Sequence, residues 1–324
     1  MNVRNAHHWL SSLAKMQPLQ SITIHGGEPF LYFPNYCVEQ ILQKATSLDV
    51  PRRGIITNGF WAIDNETARR KLMKLKSCGL TSITFSVDAF HQEFIPLNSV
   101  QIGIKEACAL GFTKVDVLSH YVDSVKADNI YNQTTNQLLA KIEDIKGVVI
   151  DRFKTSLYGR AADNLVEFAA KSPLPPSGPC RLPYWLGDEI HDPKAIEIDF
   201  LGNVTLCPGI CIGNLKTRSL TDVLSNYSPE THPILNILAR EGPIGLVRMA
   251  ADFGIDCDQQ FVDECHLCYE MRQQLHRLFP AYLAPVSCYQ ATTSRRAQNV
   301  SSSIHRFSSR CRPSKPWRWF PRVF

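Results

Sequence analysis

The chain has 324 residues, enough for one large domain or for a large domain and a small one. With 44% hydrophobic and 20% charged residues it has a globular composition, and no apolar run reaches the roughly 18 residues of a membrane span. The first ten residues lack the apolar segment of a signal peptide, so we expect a cytoplasmic protein without a membrane partner.

The net charge of +5 originates at one end of the chain. Residues 285–324 contain eight Lys and Arg and no acidic residue, so that 27 basic residues face 30 acidic ones elsewhere. Such a body presents no basic surface for nucleic acid, and we expect no nucleic-acid partner. The low complexity of 285–324 predicts a disordered basic tail.

Helix and strand patterns alternate through the first half of the chain. A predicted helix over 6–17 precedes five predicted strands, at 21–25, 54–57, 82–87, 114–119 and 147–151. Helical patterns separate the strands at 36–47, 66–78, 99–110 and 129–145. Alternation with short links predicts an α/β protein with a parallel sheet and right-handed crossovers.

The second half of the chain predicts a smaller, separate unit. A Pro-, Gly- and Ser-rich stretch at 172–183 predicts a linker, and the segments around Leu201-Gly202-Asn203 predict a hairpin. Further helices are expected at 219–226, 233–240, 244–253 and 265–279. The predicted domains are therefore 1–171, 172–284 and the tail 285–324.

Four of the predicted strands end in polar or glycine-rich sequence. These ends are His25-Gly26-Gly27-Glu28-Pro29, Thr57-Asn58-Gly59, Ser86-Val87-Asp88 and Ser119-His120. Ligands collect at the carboxyl ends of parallel strands, where glycines allow close approach of the backbone and Glu28 can accept hydrogen bonds from an ammonium group. For Ser86 and Asp88, capping of a following helix is an equal alternative.

The eleven cysteines of a cytoplasmic chain favour metal or redox use of a subset over a disulfide framework. Cys265 and Cys268, at the head of a predicted helix, have the spacing of a metal-ligand pair. Cys207 follows the hairpin and Cys180 ends the linker, so four thiolates are available for an iron–sulfur cluster or for zinc. Two cysteines, Cys211 and Cys257, compete for one ligand position, whereas Cys78 and Cys108 fit buried positions in helices.

The Gly26-Gly27-Glu28-Pro29 turn after a β-branched strand, with Thr-Asn-Gly and Ser-Val-Asp closing the next two predicted strands, resembles the radical S-adenosylmethionine (SAM) superfamily over about residues 1–280. The resemblance implies a partial (β/α)6 barrel and assigns binding of the SAM methionine amino group to the Gly-Gly-Glu-Pro turn. It also matches Ser86 and Asp88 to a position that contacts the SAM ribose or the substrate.

The cysteines Cys180, Cys207, Cys265 and Cys268 resemble the ligands of the SPASM/Twitch extensions found in that superfamily. This resemblance implies one auxiliary [4Fe-4S] cluster. A full SPASM set continues with further cysteines, and residues 269–284 contain none, which favours the shorter single-cluster form.

Members of the superfamily hold a catalytic cluster with a Cys-x3-Cys-x2-Cys loop after the first barrel strand. Here no cysteine precedes Cys37, and the first of the six strands is not found. We therefore expect a radical SAM-type protein for a peptide or small-molecule substrate that is truncated or inactive as written, binds SAM weakly or not at all, and has no assigned catalytic residue. The alternatives are a non-catalytic binding or scaffold protein with a structural Fe–S or Zn site, and a zinc-stabilised α/β protein.

Overall fold

The computed structural model describes residues 2–32, 37–173, 175, 178–182, 189–257 and 259–290. The predicted tail beyond residue 290 lies outside the described residues. Within these ranges, no helix has the length and apolarity that crossing a bilayer requires.

Five parallel strands form the first sheet, and they are arranged in chain order. They are β1 (Ser21–Ile24), β2 (Arg52–Thr57), β3 (Ser82–Ser86), β4 (Lys114–Tyr121) and β5 (Val149–Lys154). Each lies within a few residues of its predicted position, which confirms the α/β class with a parallel sheet. Since each strand pairs with the next in sequence, all five carboxyl ends lie along the same edge of the sheet.

Seven helices accompany this sheet in the described ranges: α1 (Val3–Met16), α2 (Cys37–Ser47), α3 (Asn65–Ser77), α4 (Ala89–Gln92), α5 (Leu97–Ala109), α6 (Ile130–Leu139) and α7 (Arg160–Leu165). Several of these helices begin at a residue whose side chain caps the first turn. At α3, for example, the Asp64 carboxylate accepts a hydrogen bond from the Thr67 N–H at 2.7 Å. The predicted helix over 129–145 ends earlier, at Leu139, and turns follow it. The single-turn helix α4 was not predicted, because four residues are too short to show a helical period.

The main core lies between one face of the sheet and the helices. Ile83, Phe85 and Val117 from the strands are fully buried there against Leu72 and Ile104 from α3 and α5. Because side chains alternate along a strand, their neighbours in sequence face the opposite side of the sheet. Much of that opposite face is polar, and it leads directly to the strand ends where the candidate site lies.

A second sheet of three antiparallel strands begins the C-terminal half, with β6 (Glu197–Ile198), β7 (Asn203–Cys207) and β8 (Ile210–Asn214). The predicted hairpin forms, with the Asp199 carboxylate accepting from the N–H groups of Leu201 and Asn203 at its turn. The third strand was not predicted because its run is short and is interrupted by Gly213. The helices α8 (Leu220–Ser225), α9 (Pro233–Arg240), α10 (Pro243–Asp252) and α11 (Glu264–Leu275) follow.

Contacts from several segments join the two halves. Trp9 of α1 packs against Val204 and Leu220, which belong to the C-terminal half. Ser172, the first residue of the predicted linker, exchanges two backbone hydrogen bonds of 2.8 Å with Phe261. The N-terminal helix therefore contributes to the core of the second half.

The predicted start of the tail is corrected by the structure. Residues 285–290 fold back onto α11, where the Tyr269 hydroxyl donates to the Cys288 carbonyl at 3.1 Å. Tyr289 is only 3% exposed and belongs to the C-terminal core. The sequence argument failed here because it averaged composition over 40 residues and so missed one buried aromatic anchor near the start.

Candidate functional site

The turn after β1 combines an open backbone with a buried acid. Gly26 and Gly27 adopt φ angles of +85° and +60°, a backbone conformation that is strained for any residue with a side chain. A Cβ on either glycine would meet nothing within 4 Å. Glu28, by contrast, is only 4% exposed. The turn therefore presents bare backbone to its surroundings while its carboxylate points into the protein.

Glu28 joins the ends of β1 and β2 through its carboxylate. Oε1 accepts from the Thr57 hydroxyl at 2.7 Å and from the Phe30 N–H at 3.1 Å, and Oε2 accepts from the Asn58 N–H at 2.8 Å. Burial raises the pKa of Glu28 above its usual value, and these three donors only partly offset that effect. Its predicted contact with an ammonium group stays a prediction, since the structure engages the carboxylate in holding two loops together.

Pro29 opens a short helical turn that carries Phe30 onto the end of β2. The Phe30 ring stacks on Trp61 at a centroid distance of 4.0 Å, and Trp61 Nε1 donates to the Thr57 hydroxyl at 2.9 Å. Thr57 thus connects the aromatic pair with Glu28. This packing fixes the glycine turn relative to the second strand.

Asp88 lies past the end of β3 and is fully buried, with a relative exposure of 0%. Its Oδ1 accepts from the N–H groups of Phe90 and His91 and contacts His91 Nδ1 at 2.8 Å, and its Oδ2 accepts from the His120 N–H at 3.3 Å. Asp88 is therefore the N-cap of α4, the alternative that the sequence left open. Its predicted contact with a ligand stays a prediction.

His91, whose side chain is 28% exposed, forms an ion pair with the fully buried Asp88. Burial alone would lower the pKa of His91, but the Asp88 carboxylate raises it above its usual value. In turn, burial would raise the pKa of Asp88, and the hydrogen bond and charge of His91 bring it below its usual value. Sequence reasoning missed His91, although its position three residues after a capping Asp could have indicated it.

Three further polar side chains belong to this part of the sheet edge. The register that pairs Ser86 with Leu118 and His120 with Phe153 puts Ser86, His120 and Thr155 on the same face of the sheet. Ser86 is buried, and His120 Nδ1 and Thr155 Oγ1 are buried atoms without a hydrogen-bond partner in the described part of the chain. Burial lowers the pKa of His120, which favours its neutral form. Thr155 was not singled out from the sequence.

The four predicted metal-ligand cysteines lie on separate segments of the C-terminal half. Cys207 ends β7, Cys265 and Cys268 occupy the first two turns of α11, and the Cys180 N–H donates to the Leu238 carbonyl at 2.8 Å. Burial raises the pKa of Cys180, and the nearby thiols of Cys268, Cys207 and Cys265 raise it further. The four thiols are therefore within electrostatic range of one another, and their role as a ligand set stays a prediction.

Within this cysteine group, the protonated thiol is favoured as long as no metal is bound. Burial raises the pKa of Cys207 to about 12, and the pKa of Cys265 is also raised although this residue is exposed. No group of three or more His, Cys, Asp or Glu side chains that could hold a metal ion is present among the residues that the structure describes. The donor set nevertheless suits a thiolate-bound centre, since thiolate is the form that binds metal.

Two residues beside the cysteine group were missed from the sequence. Cys288 acts electrostatically on Cys207, and burial raises its own pKa to about 11. Arg272, four residues after Cys268, is buried next to both Cys207 and Cys268. Neither could be recognised from spacing, because Cys288 lies in the predicted tail and Arg272 in an ordinary helical pattern.

Of the two cysteines that compete for one ligand position, Cys211 is held within the hairpin sheet. Cys211 is buried in β8, where its Sγ lies 3.1 Å from the Gly213 carbonyl oxygen and 3.9 Å from Asn203 Oδ1. These contacts engage Cys211 within the hairpin sheet and make it a weaker candidate ligand. Cys78 is buried among core side chains, as expected, and Cys108 packs against the same core.

Comparison with known proteins gives a distant likeness. No family model matches the chain. It is 23% identical over 153 residues to YydG of Bacillus subtilis (strain 168), a protein whose name assigns it to peptide biosynthesis. The matched region covers 47% of this chain and 44% of YydG, so the chain spans less than half of that relative. A dihydrodipicolinate synthase from Agrobacterium tumefaciens str. C58 aligns with a TM-score of 0.31 at 13% identity, over 46% of this chain and 48% of that one.

Proposed function

We propose that this chain is a radical SAM-type iron–sulfur protein whose C-terminal half holds one auxiliary [4Fe-4S] cluster and whose substrate is a peptide. The observation that carries the proposal is the mutual electrostatic effect of Cys180, Cys207, Cys265 and Cys268, which come from separate segments and raise one another's pKa. The distant likeness to YydG, a protein named for peptide biosynthesis, supports the substrate class.

The chemistry of the cysteine group fits such a cluster. Four thiolates complete the ligand set of one [4Fe-4S] centre, and such a centre supplies one-electron transfer when bound. The remaining contributions are those of the chain itself. The surrounding core buries Cys268 and partly buries Cys207, and the buried Arg272 supplies a positive charge beside them.

The sheet edge fits the binding of SAM in part. The bare backbone of Gly26 and Gly27 is open to a ligand, in keeping with the role that the resemblance assigns to this turn. Ser86 and His120 continue the same edge towards the polar face, where a substrate group could form hydrogen bonds. Glu28 and Asp88 hold these loops in position through their own contacts.

The proposal is tested by the metal content of protein purified without oxygen. We expect about four irons and about four sulfides per chain, the content of one [4Fe-4S] cluster. Replacing Cys265 or Cys268 with Ala should abolish the iron content and the visible absorbance of the cluster. The controls Cys78→Ala and Cys108→Ala remove cysteines outside the group and should leave both unchanged.

Zinc without iron in the purified protein would instead support the alternative of a structural zinc site, because the same four thiolates suit that metal. About eight irons per chain would show a second cluster, contrary to the proposal. An unchanged iron content in Cys265→Ala and Cys268→Ala would place the metal elsewhere.

A further inference from the structure

Arg272 is an arginine held in the interior of the C-terminal half. Its side chain is only 2% exposed. Nε donates to the Cys268 carbonyl at 3.2 Å, and Nη1 donates to the Pro208 carbonyl at 2.7 Å and to the Tyr289 hydroxyl at 2.9 Å. The guanidinium carbon also lies 5.7 Å from the centre of the Tyr289 ring. Contacts from three separate segments therefore fix the position of this charge.

These contacts leave the charge of Arg272 without an acidic partner. Among the described residues, no carboxylate lies within the 4.0 Å of an ion pair with its guanidinium. All three hydrogen-bond acceptors are neutral oxygens. A buried charge of this kind is costly unless an opposite charge compensates it, so its position in the core calls for an anionic neighbour.

The neighbours that can supply negative charge are thiols. Arg272 is hydrogen-bonded to the Cys268 carbonyl and to the carbonyl of Pro208, the residue after Cys207, and both cysteines act on it electrostatically. The Tyr289 hydroxyl donates to the Gly209 carbonyl at 2.6 Å, an arrangement that suits a neutral phenol. Cys207 and Cys268 become anionic when they bind a metal as thiolates.

We propose that Arg272 is the fixed counter-charge of an anionic thiolate centre formed by Cys180, Cys207, Cys265 and Cys268, and that it determines how firmly that centre retains its metal. This inference rests on the proposed function, because it requires a metal in the cysteine group. It holds for iron–sulfur and for zinc, since four thiolates leave a net negative charge around either. Arg272 acts through the ligands and is a positioning residue.

A purely structural role is the alternative. Arg272 connects α11 with the turn at Pro208 and with the segment around Tyr289, so its loss could simply loosen the fold. The two roles differ in what a lysine would restore. Lysine keeps the charge but not the planar, forked donor geometry, whereas glutamine keeps some hydrogen bonding but no charge.

The experiment compares Arg272→Gln, Arg272→Lys and the control Arg277→Met, an exposed position just beyond α11. Protein is purified without oxygen, and the rate of metal loss to a chelator is measured together with iron, sulfide and zinc content. Loss of an outer partner of a metal ligand typically costs about 10–100-fold in affinity. We therefore expect metal loss to accelerate by about 10–100-fold in Arg272→Gln and to stay near the wild-type rate in Arg272→Lys and Arg277→Met.

A second variant tests the charge while leaving Arg272 in place. Gln273 is partly buried, and its amide donates to the Tyr289 carbonyl at 3.2 Å, so Gln273→Glu adds a negative charge at the position next to Arg272 in the chain. We expect faster metal loss here as well. If the metal is iron, both Arg272→Gln and Gln273→Glu should also lower the reduction potential, because each makes the surroundings of the reduced cluster less positive.

Wild-type metal retention in both Arg272→Gln and Gln273→Glu would overturn the inference while leaving the proposed function intact. Equal metal loss in Arg272→Lys and Arg272→Gln would overturn it too, since the hydrogen-bond geometry would then matter and not the charge. If Arg272→Gln does not fold, Gln273→Glu decides the question. Wild-type protein that holds neither iron nor zinc would instead refute the proposed function, and this inference with it.

Discussion

The Glu28 carboxylate accepts a hydrogen bond of 2.7 Å from the Thr57 hydroxyl, which connects the turn after the first strand with the end of the second. Thr57 in turn accepts from Trp61 Nε1, and the Trp61 ring stacks on Phe30. An acid that the motif alone presents as a ligand contact is therefore also part of the internal support of the turn. The glycines before it are left as the exposed part of the motif.

We predict that Glu28→Ala destabilises the protein. The substitution leaves the Thr57 hydroxyl and the Asn58 N–H without their acceptor, at a cost of about 1–3 kcal/mol in the free energy of unfolding. Urea unfolding of the isolated variant measures this change. The control Glu93→Gln, at an exposed position, should shift the free energy by less than about 0.5 kcal/mol. Equal stabilities for Glu28→Ala and wild type would show that the carboxylate does not support the turn.

The Asp88–His91 pair predicts a pH-dependent contribution to stability. The lowered pKa of Asp88 gives stability that is present above the ordinary Asp value of about 3.9 and is lost as the pH falls through the folded-state pKa. The raised pKa of His91 gives stability that is complete below about 6.5 and is lost as the pH rises through its folded-state pKa. The pair should therefore contribute most between about pH 4 and about pH 6.5.

The measurement is the difference in free energy of unfolding between wild type and His91→Gln at about pH 6 and at about pH 9, on either side of the His91 transition. We expect a loss of about 1.5–3 kcal/mol at the lower pH, the usual range for a hydrogen bond to a charged group, and a smaller loss at the higher pH. The exposed His8 on α1 provides the matched control His8→Gln, which should show no such difference. A loss for His91→Gln that does not vary with pH would contradict the ion pair.

The glycine turn can be tested with a pair of matched substitutions. Gly27 and Gly254 have φ angles of +60° and +73°, and a Cβ on either would meet nothing within 4 Å. Alanine at either position should therefore cost only the strain of the left-handed conformation, about 1–2 kcal/mol. Where titration of wild-type protein reconstituted with iron and sulfide gives measurable, weak SAM binding, only Gly27→Ala should weaken it further, because the turn would contact SAM through its backbone. Equal affinity in both variants would remove this turn from the SAM site.

Two truncations test where the folded part of the chain ends. Deleting residues 291–324 removes all eight basic residues of the tail, and we expect the melting temperature to stay nearly unchanged because that composition cannot offset its ordering entropy. Deleting 285–324 also removes the buried Tyr289 and should cost about 3 kcal/mol or more, in the range of a buried aromatic lost from a core. The substitution Tyr289→Ala in the full chain should reproduce most of that loss. Identical melting temperatures for the two truncations would show that Tyr289 does not support the core.

Much of the fold follows from local patterns in the sequence. The five strands and most helices were predictable because alternating and helical periods, glycine stops and capping residues such as Asp64 act over a few neighbouring residues. Elements without such a period were missed, namely the four-residue helix at Ala89–Gln92 and the short third strand at Ile210–Asn214. The sequence by itself also determined the glycine turn and the Cys265–Cys268 pair, whose spacing is local.

The tertiary structure alone decided which distant residues meet. It directed Glu28 inward to Thr57 and made Asp88 the cap of a helix, and neither orientation is encoded in a strand-end motif. It also brought Arg272 and Tyr289 beside the cysteines, because helix packing and chain return depend on contacts between residues far apart in sequence. A buried arginine beside thiols has no local sequence pattern. The desolvation cost of its charge, and the interactions that offset this cost, arise only in the folded core.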